Sequence, residues 1–150
     1  MYSKQPAPLV RQQFWTAFGQ YMWPILSAGG EKINWVNYKT GVKFIRINMQ
    51  CEDGVAFIAI ELSQPDAGIQ VWQFDQISQF KKQFQGICGA DWKWKQFNSG
   101  NDKKLISSIT AYLENVHILN QSDWPAIISF FKERIIALDN FWNEYQFALQ

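Results

Sequence analysis

The stretch Ile45-Arg46-Ile47-Asn48-Met49-Gln50-Cys51-Glu52-Asp53-Gly54-Val55-Ala56-Phe57-Ile58-Ala59-Ile60-Glu61-Leu62 decides the fold. Apolar Ile45, Ile47, Met49 and Cys51 alternate with polar Arg46, Asn48 and Gln50, so one side chain in two points to a core. After Asp53-Gly54 the apolar face resumes with Ala56, Ile58, Ile60 and Leu62. Asp-Gly between two alternating runs is a strong short-range hairpin signal. The second strand also carries Val55, Phe57 and Ala59 on its other face, which is too apolar for open water. A helical layer or a second chain is expected over part of that face.

Helical periods flank the hairpin on both sides. A first helix is predicted from Pro8 to Trp23, with Pro6 and Pro8 at its tolerant first turn and Pro24 at its exit. Val10, Phe14, Ala17, Phe18 and Tyr21 follow helical spacing, and Trp15 and Met22 widen the stripe. A second helix is predicted over Asp66 to Ile87, with Ile69, Trp72, Ile77, Phe80, Phe84 and Ile87 as its inward stripe. Val71 and Phe74 fall off that stripe. With Phe57 they are candidates for an interaction surface.

A second strand pair follows: Trp92 to Phe97, a turn at Asn98 to Asp102, and Leu105 to Leu113. The last helix opens at Ser122 or Asp123 and carries a broad stripe from Trp124 to Tyr145. The order is α-β-β-α-β-β-α. That order predicts an α+β fold in which a four-stranded antiparallel sheet, made of two hairpins, packs with three helices. No internal boundary or repeat appears, so residues 1–150 form a single domain.

Composition limits the function. Fourteen Lys and Arg against thirteen Asp and Glu leave a net charge of +1, so no global field draws in nucleic acid or an anionic membrane. No apolar run reaches the roughly 18 residues a membrane span needs. The N-terminal Met1-Tyr2-Ser3-Lys4-Gln5-Pro6 leads into a mixed stretch, not a signal-peptide core. A cytoplasmic location is the resulting expectation, with Cys51 and Cys88 reduced. The outlying quantity is aromatic content: 8 Trp, 5 Tyr and 12 Phe. Either the core is unusually aromatic or some rings meet a partner.

The chemistry that an enzyme needs is thin. One histidine, His117, and two scattered cysteines cannot complete a zinc site, and no nucleophile motif surrounds His117. Gly29-Gly30 lacks the residues of a phosphate loop. Asp53 and Glu61 lie at opposite ends of one strand, and Ser63 stands where a restriction-type nuclease places lysine. No catalytic residue, metal ligand or cofactor site is assigned. Arg11 and Arg134 are set within apolar helical faces, where snorkelling, a buried ion pair or an anion contact would each account for them. An enzyme with an unfamiliar site would need two of Arg11, Arg134 and His117 to share one polar pocket.

Three further residues stand out as binding candidates. Trp35 and Tyr38 lie in an irregular connection over 25–40 that also carries amides. Lys39 begins a basic patch with Lys43 and Arg46. Trp92-Lys93-Trp94-Lys95 interleaves rings and cations, but alternation sends them to opposite faces, which suits a core-facing Trp pair better than nucleic-acid stacking.

Arg11-Gln12-Gln13-Phe14-Trp15, the segment Ile33 to Gly41, the hairpin, Trp92-Lys93-Trp94 and Asp123-Trp124-Pro125 occur in that order. In this arrangement the chain resembles domain-of-unknown-function family 4268 over nearly its whole length. Some members carry this domain C-terminal to a restriction-endonuclease-like domain, while short members stand alone. The resemblance implies, by analogy, an accessory role in DNA-related or defence systems, and it brings no catalytic residues. The primary expectation is a non-catalytic protein-interaction module, one form being a homodimer through an aromatic surface. A nucleic-acid-associated accessory domain is the alternative, and an enzyme with an unrecognised site is the third.

Overall fold

Asp53 and Gly54 both take positive φ, +53° and +79°, the combination that a two-residue type I′ turn requires. A computed structural model describes residues 5–97 and 105–149, and this turn joins its first two strands. β1 (Ile45–Glu52) and β2 (Val55–Leu62) pair antiparallel with Cys51 opposite Ala56, Met49 opposite Ile58 and Ile45 opposite Leu62. β4 (Ser107–Glu114) pairs with β2, setting Ala111 opposite Ile58 and Ile109 opposite Ile60. β3 (Lys93–Lys95) closes the far edge against β4, so the sheet order is β1-β2-β4-β3. β3 is shorter than the expected Trp92–Phe97, and the expected turn at Asn98–Asp102 lies outside the described residues.

Among the described residues the α-helices number four, not three. α1 (Ala7–Met22) buries Val10, Phe14, Phe18 and Met22 as its spacing requires, while Tyr21 is exposed. The predicted long second helix is two helices, α2 (Ala67–Gln79) and α3 (Lys81–Cys88), divided at Phe80. Two features account for the break. Ser78 donates its hydroxyl to the Phe74 carbonyl one turn back, at 2.7 Å, a bond that bends helices. The Phe80 ring then packs on Tyr145 at a centroid distance of 4.8 Å. α4 (Trp124–Tyr145) opens at Asp123, one of the two expected caps, although that side chain makes no capping bond; the 3-10 turn before it, Gln121–Asp123, is capped by Asn120.

The face of the sheet bearing Ile58, Ile60, Ile109 and Ala111 carries the whole core, with helix residues Phe14, Phe18, Phe84, Phe131 and Phe141 packed over it. Edge-to-face pairs join the layers, such as Phe14 with Trp124 at 5.4 Å and Phe84 with Phe141 at 5.0 Å. None of the residues on the other face belongs to this core. The expected helical cover over Phe57 is therefore absent among the described residues. Phe57 pairs instead with Tyr112 across β2 and β4, at 6.3 Å, while Ala59 and Thr110 are buried on that face.

α2 corrects the sequence reading most sharply. Its inward residues are Gln70, Gln73 and Ile77, while Ile69 and Trp72, assigned to the inward stripe, are 46% and 45% exposed. The reason is a buried polar network. Gln70 donates to the carbonyls of Gln64 (3.0 Å) and Leu105 (2.8 Å), and it accepts the Ser107 hydroxyl at 2.6 Å. Ser107 in turn accepts the Phe97 amide at 3.0 Å. Each of these groups would otherwise be buried without a partner, at about 1–3 kcal/mol apiece, and that outweighs the part-burial of Ile69. Gln70→Ala should therefore destabilise the protein by about 2–4 kcal/mol and Trp72→Ala by less than about 1 kcal/mol. Urea unfolding followed by circular dichroism checks this, and the reverse order would refute the orientation of α2.

Candidate functional site

Residues 25–40 have no regular structure and are held by short backbone turns, such as the Ser27 amide donating to the Glu31 carbonyl at 2.8 Å, together with side chains. α4 ties this loop to the rest of the fold. Asp139 is 5% exposed; its Oδ1 accepts the Tyr38 hydroxyl at 2.6 Å and its Oδ2 the Ala28 amide at 2.7 Å. Three residues further along α4, the Trp142 indole donates to the Thr40 carbonyl at 2.7 Å. Within the loop, the Trp35 indole donates to the Ile25 carbonyl at 2.9 Å and its ring is buried. Thr40 donates to the Ile45 carbonyl at 2.6 Å, tying the loop to the start of β1.

The loop so held faces α1 across a groove of about 510 Å³. Trp15, Trp23 and Trp35 supply its aromatic wall, and Gln12, Gln20 and Asn34 bring amides to it. None of its lining residues is charged. Gly19 sits where the two walls come closest: a Cβ there would lie 3.3 Å from Val36 Cγ2. Trp23 is 54% exposed and Val36 36% exposed, and Lys32 holds its ammonium 4.7 Å from the centre of the Trp23 ring. Large apolar surface left open in a concave site marks a binding groove more often than a scattered surface residue does.

A second depression, of about 340 Å³, adjoins the first through Ile33 and Asn34 and is lined by Tyr38, Lys39 and Asp139 among others. Burial, together with the hydrogen bond to Asp139 and its charge, pushes the Tyr38 hydroxyl well above the ordinary tyrosine range. It therefore remains a proton donor to the carboxylate. Of the binding candidates, then, Trp35, Tyr38 and Lys39 come together at one end of the fold.

The others lie apart. Arg11 and His117 share a cleft of about 250 Å³ with Cys51, Glu52 and Asp53, meeting the geometric condition set for an unfamiliar polar site. Arg11 is half-buried and donates to the Cys51 carbonyl at 3.2 Å, so its partner is backbone at the end of β1, an option the sequence did not suggest. Burial holds the Cys51 thiol up, outweighing the lowering influence of the Ile118 amide and of Arg11, so the cleft's one thiol is no ready nucleophile. Arg134 is elsewhere: it pairs with Asp91 at 3.2 Å and lies over Phe130 at 4.3 Å. Phe57 stands on the open sheet face, whereas Phe74 packs beneath the sheet against Trp94 at 6.3 Å and Val71 is half-buried on α2. No single surface holds these three. The groove residues Trp15, Trp23 and Val36 were assigned to core, helix exit and loop by local pattern, and nothing in their spacing indicates that they face one another.

A family model described as domain of unknown function (DUF4268) matches residues 10–146. The chain belongs to that family. No curated protein and no solved structure matches it. Every depression described above lies within the span matched to the DUF4268 domain. Among the described residues of this DUF4268 domain, no three His, Cys, Asp or Glu side chains gather as a metal site, and no helix is long and apolar enough to cross a membrane.

The buried acids with raised pKa predict alkaline sensitivity. Burial pushes the Cys88 thiol up to about 12 and raises Tyr38 further, while unfolded cysteine and tyrosine ionise near about 8.5 and 10. The native state therefore holds more protons above these values, and stability falls as pH rises. The contribution is fully present below about pH 8 and declines above it. Tyr38→Phe should cost about 1–3 kcal/mol at pH 7 and make the decline above about pH 10 shallower. Urea unfolding at neutral and alkaline pH measures both, and an unchanged slope in the variant would refute the role given to Tyr38.

Proposed function

We propose that this domain is a non-catalytic interaction module that docks an uncharged, apolar segment of a partner protein in the groove between α1 and the 25–40 loop. The observation that carries the proposal is the groove's lining: three tryptophans and several amides with no charged residue. Rings give large contact area at little entropic cost, and amides fix a backbone through hydrogen bonds. Aromatic-lined grooves that take proline-rich segments use the same combination. The hydrogen bonds from α4 preform the loop wall, which lowers the ordering cost on binding.

The test begins with a displayed library of random peptides selected on the whole chain. Selected peptides should shift the indole N–H signals of Trp15, Trp23 and Trp35. Affinity should fall at least tenfold in Trp23→Ser/Val36→Ser, two exposed positions whose replacement changes stability little. Binders indifferent to this double substitution would refute the groove. Light scattering of the free protein at micromolar concentration measures the homodimer form of the reading, in which the second chain is the partner.

A nucleic-acid-associated role is the second reading, and one observation favours it. The register sets Lys93 opposite Thr110 and Lys95 opposite Ser108 on the open face that also carries Phe57 and Tyr112. β3 alone separates rings from cations; the sheet brings other rings to the lysines' side. Stacking and phosphate contact then share one surface. Glu52, Glu61 and Glu114 occupy the same face, and Glu61 already pairs with Arg46 at 2.8 Å, which ranks this reading second. Fluorescence anisotropy with a labelled oligothymidylate should show binding that weakens steeply with salt and is lost in Lys93→Glu/Lys95→Glu. No binding at low salt would remove this reading.

A further inference from the structure

The neutral wall of the groove ends at a buried charge. Ile33 and Asn34 line both the groove and the depression whose floor holds Asp139. Each Asp139 oxygen receives one hydrogen bond, from Tyr38 or from Ala28. A carboxylate offers about four acceptor sites, so capacity remains on both oxygens. The ion pairs among the described residues join Arg46 to Glu61 and Arg134 to Asp91, and neither involves Asp139. Removing an ionised carboxylate from water without a cation is costly, and two neutral hydrogen bonds offset only part of that cost. Lys39 lies at the rim, exposed, and forms no ion pair with Asp139.

We infer that this depression takes the ammonium group of a lysine side chain, carried by the same partner segment whose uncharged stretch lies along the tryptophan groove. The inference rests on the groove reading and adds the partner's chemistry to it. Charge complementarity selects a cation, since the floor is an unpaired carboxylate. Lysine suits the site better than arginine. With one bond already on each Asp139 oxygen, a flat bidentate fork is disfavoured, whereas a compact ammonium needs only one free acceptor position on the carboxylate. Ile33 and Asn34 line both depressions, and the proposed segment would pass over these two residues from one to the other.

The peptides selected on the whole chain provide the probe. Each is resynthesised with its lysines replaced one at a time by norleucine, which keeps the stem and removes the charge. Backbone amide spectra are recorded alongside the indole signals. The Ala28 amide is the direct reporter, because it donates to Asp139. Support is a lysine whose replacement weakens binding at least tenfold, together with a shift at Ala28 that the norleucine peptide does not produce. That preference should vanish in Asp139→Asn and persist in Tyr38→Phe, which keeps the carboxylate. Should Asp139→Asn fail to fold, the peptide replacements on the unaltered protein still decide the matter. Peptides that shift the indoles but lose less than twofold on every lysine replacement would overturn the inference and leave the groove standing. Peptides that leave the indoles unmoved would overturn the groove reading and this inference with it. A Lys39→Met variant that melts clearly lower, with no lysine preference among the binders, would mark Lys39 as the carboxylate's own counter-ion and also overturn the inference.

Discussion

The Asp139 carboxylate is the constraint on which the 25–40 loop and the groove beside it depend. It is buried in α4, yet its two hydrogen bonds go to Tyr38 and Ala28, on a loop more than a hundred residues earlier in the chain. A segment without its own backbone ladder would otherwise leave polar groups unmet or drift into many conformations. Asp139 and Trp142 fix two stretches of it to one helix face. The Trp35 ring is thereby folded under, and the outer face of the loop becomes one wall of the groove. Gly19 completes the arrangement from the other side, because a side chain there would press on Val36.

The second buried polar device works by the same physics at the opposite edge of the sheet. Gln70, Ser107 and the carbonyls of Gln64 and Leu105 form a closed set, and a satisfied buried network specifies one orientation more narrowly than apolar contact does. α2 is locked with Gln70 inward, and its more apolar residues Ile69 and Trp72 turn to solvent. Hydrophobic burial, being non-directional, is satisfied by several rotations of such a helix. Hydrogen bonds are not.

The sheet divides the molecule by burial and by surface chemistry. One face carries the core. The other carries Phe57 and Tyr112, with Lys93, Lys95, Arg46 and Glu61 toward one end and Glu52 and Glu114 toward the other. Its charges nearly cancel, so no strong field projects from it. The groove is uncharged by composition, and its neighbouring depression carries a lone buried carboxylate. These are different surfaces with different chemistry on one DUF4268 domain.

By itself the sequence determined the elements whose formation is local. The Asp53-Gly54 turn, the strand register it sets, the inward face of α1 and the long stripe of α4 all follow from side-chain period and turn chemistry within a few residues. The ordered run of aromatic motifs also pointed to the family that the match over residues 10–146 shows. Only the tertiary structure decided the rotation of α2, the break at Phe80, the openness of the Phe57 face and the meeting of Trp15, Trp23 and Trp35 in one groove. The reason is distance along the chain. Gln70 finds Ser107 thirty-seven residues away, and Asp139 finds Tyr38 a hundred and one residues away. Periodicity tells which residues leave water, because transfer free energy acts on each residue separately. It carries no record of which distant donor meets which acceptor, and in this protein those meetings build the site.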